Sequence, residues 1–124
     1  MRIHRDRVGE IPVLTVTGRL GSRGAHELEK ALIEVEPPPG CGLVLDLAGV
    51  DYMSSTALAA LQAMDLFLRG SGGRLVMCHV DEAVRVGLEL AGLVDLVEFA
   101  PSRDEAIAMA AAPTSPSPSD GIQE

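Results

Sequence analysis

Aromatic side chains are nearly missing from this 124-residue chain: Tyr52, Phe67 and Phe99 make up 2% of it, and tryptophan is absent. Without them there are no flat faces on which unpaired bases could stack, and the core has to be built from Leu, Val, Ile, Ala and Met. Positive charge is scarce too. Ten Lys and Arg against eighteen Asp and Glu leave a net charge of −8, which repels phosphates and excludes a nucleic-acid partner. Two cysteines, Cys41 in a Pro/Gly loop and Cys78 inside a strand, are too few for a disulfide framework in a chain of this size, so reduced thiols are expected. No apolar run approaches the roughly 20 residues that span a bilayer. The start, Met1 to Arg7, is charged and lacks the apolar stretch of a signal peptide. A cytoplasmic protein without membrane insertion is the expectation, and there are no internal repeats.

The groups that carry catalysis are equally thin. His4, His26 and His79 are scattered, and Cys78 and His79, neighbours in a strand, should point to opposite faces; neither a metal site nor a cofactor is expected. No Gly-x-Ser-x-Gly elbow surrounds Ser55, and no histidine stands near it in sequence to act as a base. Asp46 and Asp51 flank a turn, where carboxylates position backbone more readily than they do acid–base work. Gly70-Ser-Gly-Gly73 precedes a strand and has no following Lys-Ser/Thr, so it is not a phosphate loop. The chain is expected not to be an enzyme.

Hydrophobic residues, at 47%, are enough for one core. Ile3–Arg7 and Pro12–Thr17 read as strands of a hairpin turning at Gly9-Glu10. Ala25, Leu28, Leu32 and Val35 recur at helical spacing until Pro37-Pro-Pro-Gly40 stops them. Leu43–Leu47 is apolar enough for a strand covered on both faces. A helix from Ser54 to Arg69 buries Ala57, Leu61, Met64 and Leu68 and closes at Gly70, a left-handed cap. A strand from Arg74 to Val80, a helix from Asp81 to Leu90 closing at Gly92, and a short strand from Val94 to Phe99 follow. Ser102-Arg-Asp-Glu105 is a capping box that opens a last helix through Ala111. The expected domain spans residues 1–111. Residues 112–124, rich in Pro and Ser, have the composition of a disordered tail.

The stretch from Leu43 to Leu61 is the most informative: a buried strand broken by Ala48-Gly49, then Ser54, Ser55 and Thr56 opening a helix. A hydroxyl there lies among unpaired N–H groups at a positive helix end, which stabilises an anion, including phosphate on Ser55. Caps of the helix and a phosphate acceptor are both consistent with three hydroxyls in a row. Ser55, Ala59, Gln62, Leu66 and Arg69 fall on a separate face at spacings of four and three, which reads either as a docking surface or as ordinary solvated helix.

Leu45-Asp-Leu-Ala-Gly-Val-Asp-Tyr-Met-Ser-Ser-Thr-Ala-Leu58 resembles the signature of the STAS family, the anti-sigma factor antagonists, in which a hydrophobic-Asp-hydrophobic strand precedes Met-Asp-Ser-Ser/Thr-Gly-Leu. Leu14-Thr-Val-Thr-Gly-Arg-Leu20 is similar to the family's second strand and Gly-x-Leu turn, and the resemblance covers about residues 8–110. Ser54 stands where the family usually has Asp before the phosphorylated serine, and Gly21 where an Asp usually follows the turn. The resemblance implies an α/β sandwich, a mixed sheet of four to five strands with about four helices mainly on one face. It also implies a partner-switching cycle. Unphosphorylated, the chain would bind an anti-sigma factor through Ser54, Ser55, Thr56, Ala59, Gln62 and Leu66, with Asp46, Gly49 and Asp51 supporting the loop. A serine kinase, often the anti-sigma factor itself, would phosphorylate Ser55 and a phosphatase would reverse it, the antagonist acting as a monomer or weak dimer. The alternative is an adaptor never phosphorylated, a subunit of a stressosome-like particle or a lipid transporter.

Overall fold

The computed structural model describes residues 2–35, 37–92 and 97–111. Strands β1 (Arg2–Val8) and β2 (Ile11–Thr17) form an antiparallel hairpin in which Val8 pairs with Ile11. Only two residues join them, so the first, Gly9, takes φ +62°, the conformation that a two-residue turn between twisted strands requires. Helix α1 (Ser22–Val35), strand β3 (Leu43–Gly49), helix α2 (Ser55–Gly70), strand β4 (Leu75–Cys78), helix α3 (Glu82–Leu90), strand β5 (Glu98–Ala100) and helix α4 (Arg103–Ala111) follow. The sheet runs β1-β2-β3-β4-β5, with every pair after the hairpin parallel. The result is the expected α/β sandwich with a five-stranded mixed sheet.

The period-2 geometry of the central strands divides the core in two. Leu14, Val16, Leu43, Leu45, Leu47, Leu75 and Met77 face α1, α2 and α3. Val13, Val44, Val76 and Cys78 face the other way, where Ala106 and Ala110 of α4 cover them. The crossovers through α1, α2 and α3 step across the sheet in one direction with one hand, which puts those helices on one side. Helix α4 follows the last strand and returns underneath.

Several expected boundaries shift. β4 stops at Cys78, short of Val80. Gly70 lies within α2, and the left-handed residue is Gly72, at φ +89°, because Ser71 and Gly73 donate to the Leu68 carbonyl and Gly72 donates to that of Arg69. The start of the strand expected from Val94, and the tail from residue 112, lie outside the described residues.

Candidate functional site

The chain leaves β3 through a close approach to β2. Gly49 pairs with Thr17 just past a register shift, and a Cβ on Gly49 would lie 2.5 Å from Thr17 Cγ2. Gly18 N–H donates to the Gly49 carbonyl at 2.9 Å. Two loops are then zipped together around Leu20, which is fully buried: its N–H donates to Tyr52 O at 3.1 Å, and its carbonyl accepts from Ser54 N–H at 2.9 Å. Ser22 hydroxyl donates to Thr56 Oγ1 at 3.3 Å and so ties the start of α1 to the start of α2. The Gly-x-Leu turn thereby fixes where α2 begins.

Ser54 sits at the N-cap in extended backbone, and its Oγ accepts from Ala57 N–H at 3.1 Å. Ser55 and Thr56 are therefore the first residues of the helix, both exposed. Their amides belong to the turn in which a helix offers no internal acceptor. No acidic residue stands in that turn, so the positive end of the α2 dipole is unopposed. Ser55, Ala59 and Gln62 line one shallow groove of about 200 Å³ together with Leu58 and Ala91. Leu66, 61% exposed, continues the same face outward. Ala91 could not be found from α2 periodicity, because it is placed by the end of α3.

Of the three residues expected to support the loop, Asp46 and Gly49 make hydrogen bonds to backbone N–H groups. Asp46 is 5% exposed, and its Oδ1 accepts from Ala48 N–H at 3.0 Å. Asp51 is exposed and makes no side-chain hydrogen bond among the described residues; Val50 N–H finds its acceptor in Leu47 O. Gly21 has open space where a Cβ would go, at the rim of a 590 Å³ hollow lined by Arg5, Arg19 and Arg23. Arg19 lies over the Tyr52 ring, 4.1 Å from its centroid.

One expectation is overturned. Cys78 and His79 do not point to opposite faces, because the strand ends at Cys78 and His79 takes φ +56°. The imidazole turns back to the α4 face, where Nδ1 lies 3.1 Å from Asp46 Oδ1. Arg103, from the first turn of α4, donates to Thr15 Oγ1 at 2.9 Å and stands 4.0 Å from Asp46 Oδ2. Burial first, and the Asp46 carboxylate second, push the Cys78 thiol up to about 11, against a smaller opposite pull from Arg103. Nothing in periodicity or motif spacing indicates this cluster.

Comparison with known proteins gives a consistent picture. BtrV of Bordetella bronchiseptica, named as a candidate anti-sigma factor antagonist, is 30% identical over 108 residues, 87% of this chain and 93% of BtrV. The crystal structure of an anti-sigma factor antagonist from Mycobacterium paratuberculosis superposes with a TM-score of 0.76 at 24% identity, covering 88% of this chain and 92% of that one. SpoIIAA in its unphosphorylated form gives 0.73 at 15% identity over 86% and 93% of the two chains, and the Bacillus protein in its phosphorylated form gives 0.67 at 15% over 86% and 97%. The family model for the Mlab STAS domain matches residues 3–98. With that match, the BtrV identity along nearly the whole chain and the zipped loop that opens α2, the chain belongs to the STAS domain family.

Proposed function

We propose that this chain is an anti-sigma factor antagonist that binds its anti-sigma factor through the exposed face of α2 and is released when Ser55 is phosphorylated. The observation that carries this is the place of Ser55: an exposed hydroxyl in the first turn of a helix that has no acidic residue there, and a helix end of that kind favours an anion. The names of BtrV and the M. paratuberculosis protein support the function, and the existence of a phosphorylated form of SpoIIAA supports a phosphorylation cycle in a chain of this fold. A serine kinase, which can be the anti-sigma factor itself, writes the phosphate, and a phosphatase removes it. The chain itself has no catalytic role and works in the cytoplasm.

Phosphate adds about −1.5 to −2 charge at a helix end that tolerates it, so the fold should survive while the surface changes. A partner fitted to a neutral hydroxyl beside Ala59, Gln62 and Leu66 would meet bulk and an unpaired charge, and each 1.4 kcal/mol of that penalty is about tenfold in affinity. Titration calorimetry with the cognate anti-sigma factor tests it. Ser55→Ala should bind like the wild type and escape release by the kinase, whereas Ser55→Asp should bind at least about tenfold more weakly, both melting near the wild type. Equal affinity for the two variants, or phosphate mapped to Ser54 or Thr56, would remove Ser55 as the switch. An intact mass unchanged by the kinase would favour the unphosphorylated adaptor instead.

A further inference from the structure

On the face of the sheet opposite the groove of Ser55, Thr15, Asp46 and Cys78 stand side by side on three neighbouring strands, Thr15 paired with Asp46 and Asp46 with Cys78. Cys78 ends β4, and Thr15 and Asp46 are the last pair of β2 and β3 before their register shift, so the three lie toward the carboxyl ends of the strands, the edge where parallel sheets place ligands. One layer further in, the same face is Val13, Val44 and Val76. The left-handed backbone of His79, rare outside glycine, brings a fourth polar group back over them. Cys78 Sγ, a His79 ring nitrogen and an Asp46 oxygen all lie within 4.8 Å of one another. Neither Cys78 nor His79 has a part in the partner-binding reading, and the loop requires of Asp46 only its bond to Ala48 N–H.

We propose that Asp46, Cys78 and His79 form a binding site for a zinc-class divalent metal ion, with a fourth position left to water. Zinc bonds of about 2.0 to 2.3 Å in tetrahedral geometry put ligand atoms roughly 3.3 to 3.7 Å apart. The Nδ1–Oδ1 separation of 3.1 Å and the 4.8 Å bound on the rest mean that side-chain adjustments of about an ångström complete the set. A thiolate and an imidazole beside one carboxylate select zinc-like ions over Mg²⁺ and Ca²⁺, which take oxygen ligands throughout. Arg103 acts from outside. Anchored on Thr15, its guanidinium lies toward Asp46 Oδ2 and leaves Oδ1 facing Nδ1. Cys78 is buried, so the ion reaches the site from the His79 side, where the imidazole is 42% exposed.

Cobalt(II), titrated into the full-length protein with its thiols kept reduced, tests the site without reference to partner binding. The expected result is one equivalent bound, with a thiolate-to-cobalt charge-transfer band and the visible bands of a tetrahedral ion, all displaced by zinc(II). Cys78→Ser and Cys78→Ala should abolish the charge-transfer band. His79→Asn, which keeps a residue tolerant of left-handed backbone, should weaken binding at least tenfold, and Cys41→Ser should change nothing. Circular dichroism of each variant separates loss of ligand from loss of fold. The absence of a thiolate band, its survival in both Cys78 variants, its loss in Cys41→Ser, or full affinity in His79→Asn would each overturn the proposal.

Discussion

Gly49 and Gly21 are both glycines beside the loops that lead into α2, yet space separates their roles. A Cβ on Gly49 would press into Thr17, 2.5 Å from Cγ2 and 2.9 Å from Cβ, whereas one on Gly21 meets nothing within 4 Å. Gly49→Ala should therefore destabilise by about 1 to 3 kcal/mol, the usual cost of overpacking, with part of it recovered when Thr17→Ala is added. Gly21→Ala should leave urea midpoints unchanged. If Gly49→Ala were equally silent, the close approach of β2 and β3 would not be what requires glycine. Cys78 adds a residue-scale pH effect. Its thiol, raised in the fold to about 11, keeps its proton while the unfolded chain ionises near 9. Above pH 9 the unfolded state thus binds fewer protons, and stability falls as pH rises until the folded thiol titrates as well. The slope is on the order of 1 kcal/mol per pH unit in that window. Between pH 9 and 11, with chelator present, the stability difference between wild type and Cys78→Ala should shrink; a constant difference would mean that the buried thiol does not govern it.

Helix α2 carries the proposed site, and one hydroxyl caps its first turn. Ser54→Ala removes the bond from Ala57 N–H to Oγ, though the backbone bond from Ser54 N–H to Leu20 O remains. A loss of about 1 kcal/mol is expected, with faster hydrogen exchange at Ala57 and recovery in Ser54→Asp, whose short oxygen accepts the same N–H. Exchange unchanged in Ser54→Ala would show that the loop alone holds the turn. That helix was legible in the sequence because Ala57, Leu61, Met64 and Leu68 repeat at the period that buries one stripe, and all four are buried. Where the period ends, legibility ended too. Gly70 and Gly72 are equivalent as letters, and the carbonyls of Leu68 and Arg69 decide which one turns left-handed. Cys78-His79 was misread for the same reason: alternation between faces holds only inside a strand, and β4 stops between them. The Asp46–His79–Arg103 cluster joins three elements across the sheet, and no local pattern encodes such a meeting.

For the molecule as a whole, the sheet has to be covered twice. Val13, Val44, Val76 and Cys78 are fully buried on the face away from α1, α2 and α3, and α4 supplies their cover through Ala106 and Ala110. Its seat is tight: Gly42 N–H donates to Ala110 O at 2.9 Å, and a Cβ on Gly42 would come within 3.1 Å of Ala110 Cα. Small residues on both sides let backbone approach backbone, so α4 is part of the core in spite of its short, alanine-rich sequence. Beyond Ala111 the sequence holds, besides proline, only Ala112 and Ile122 as apolar side chains, so the expectation of a domain over residues 1–111 can be tested by truncation. Two truncations separate these contributions. A chain ending at Ala112 should melt cooperatively within about 2 °C of the full-length protein, since a loss below roughly 0.5 kcal/mol moves Tm of a domain this size no further. A chain ending at Pro101 should lose its cooperative transition, because it uncovers one face of β2, β3 and β4. Calorimetric scans of both decide it: a large fall in Tm for the longer chain would mean that the tail packs on the domain, and a normal transition in the shorter one would mean that the second core is dispensable.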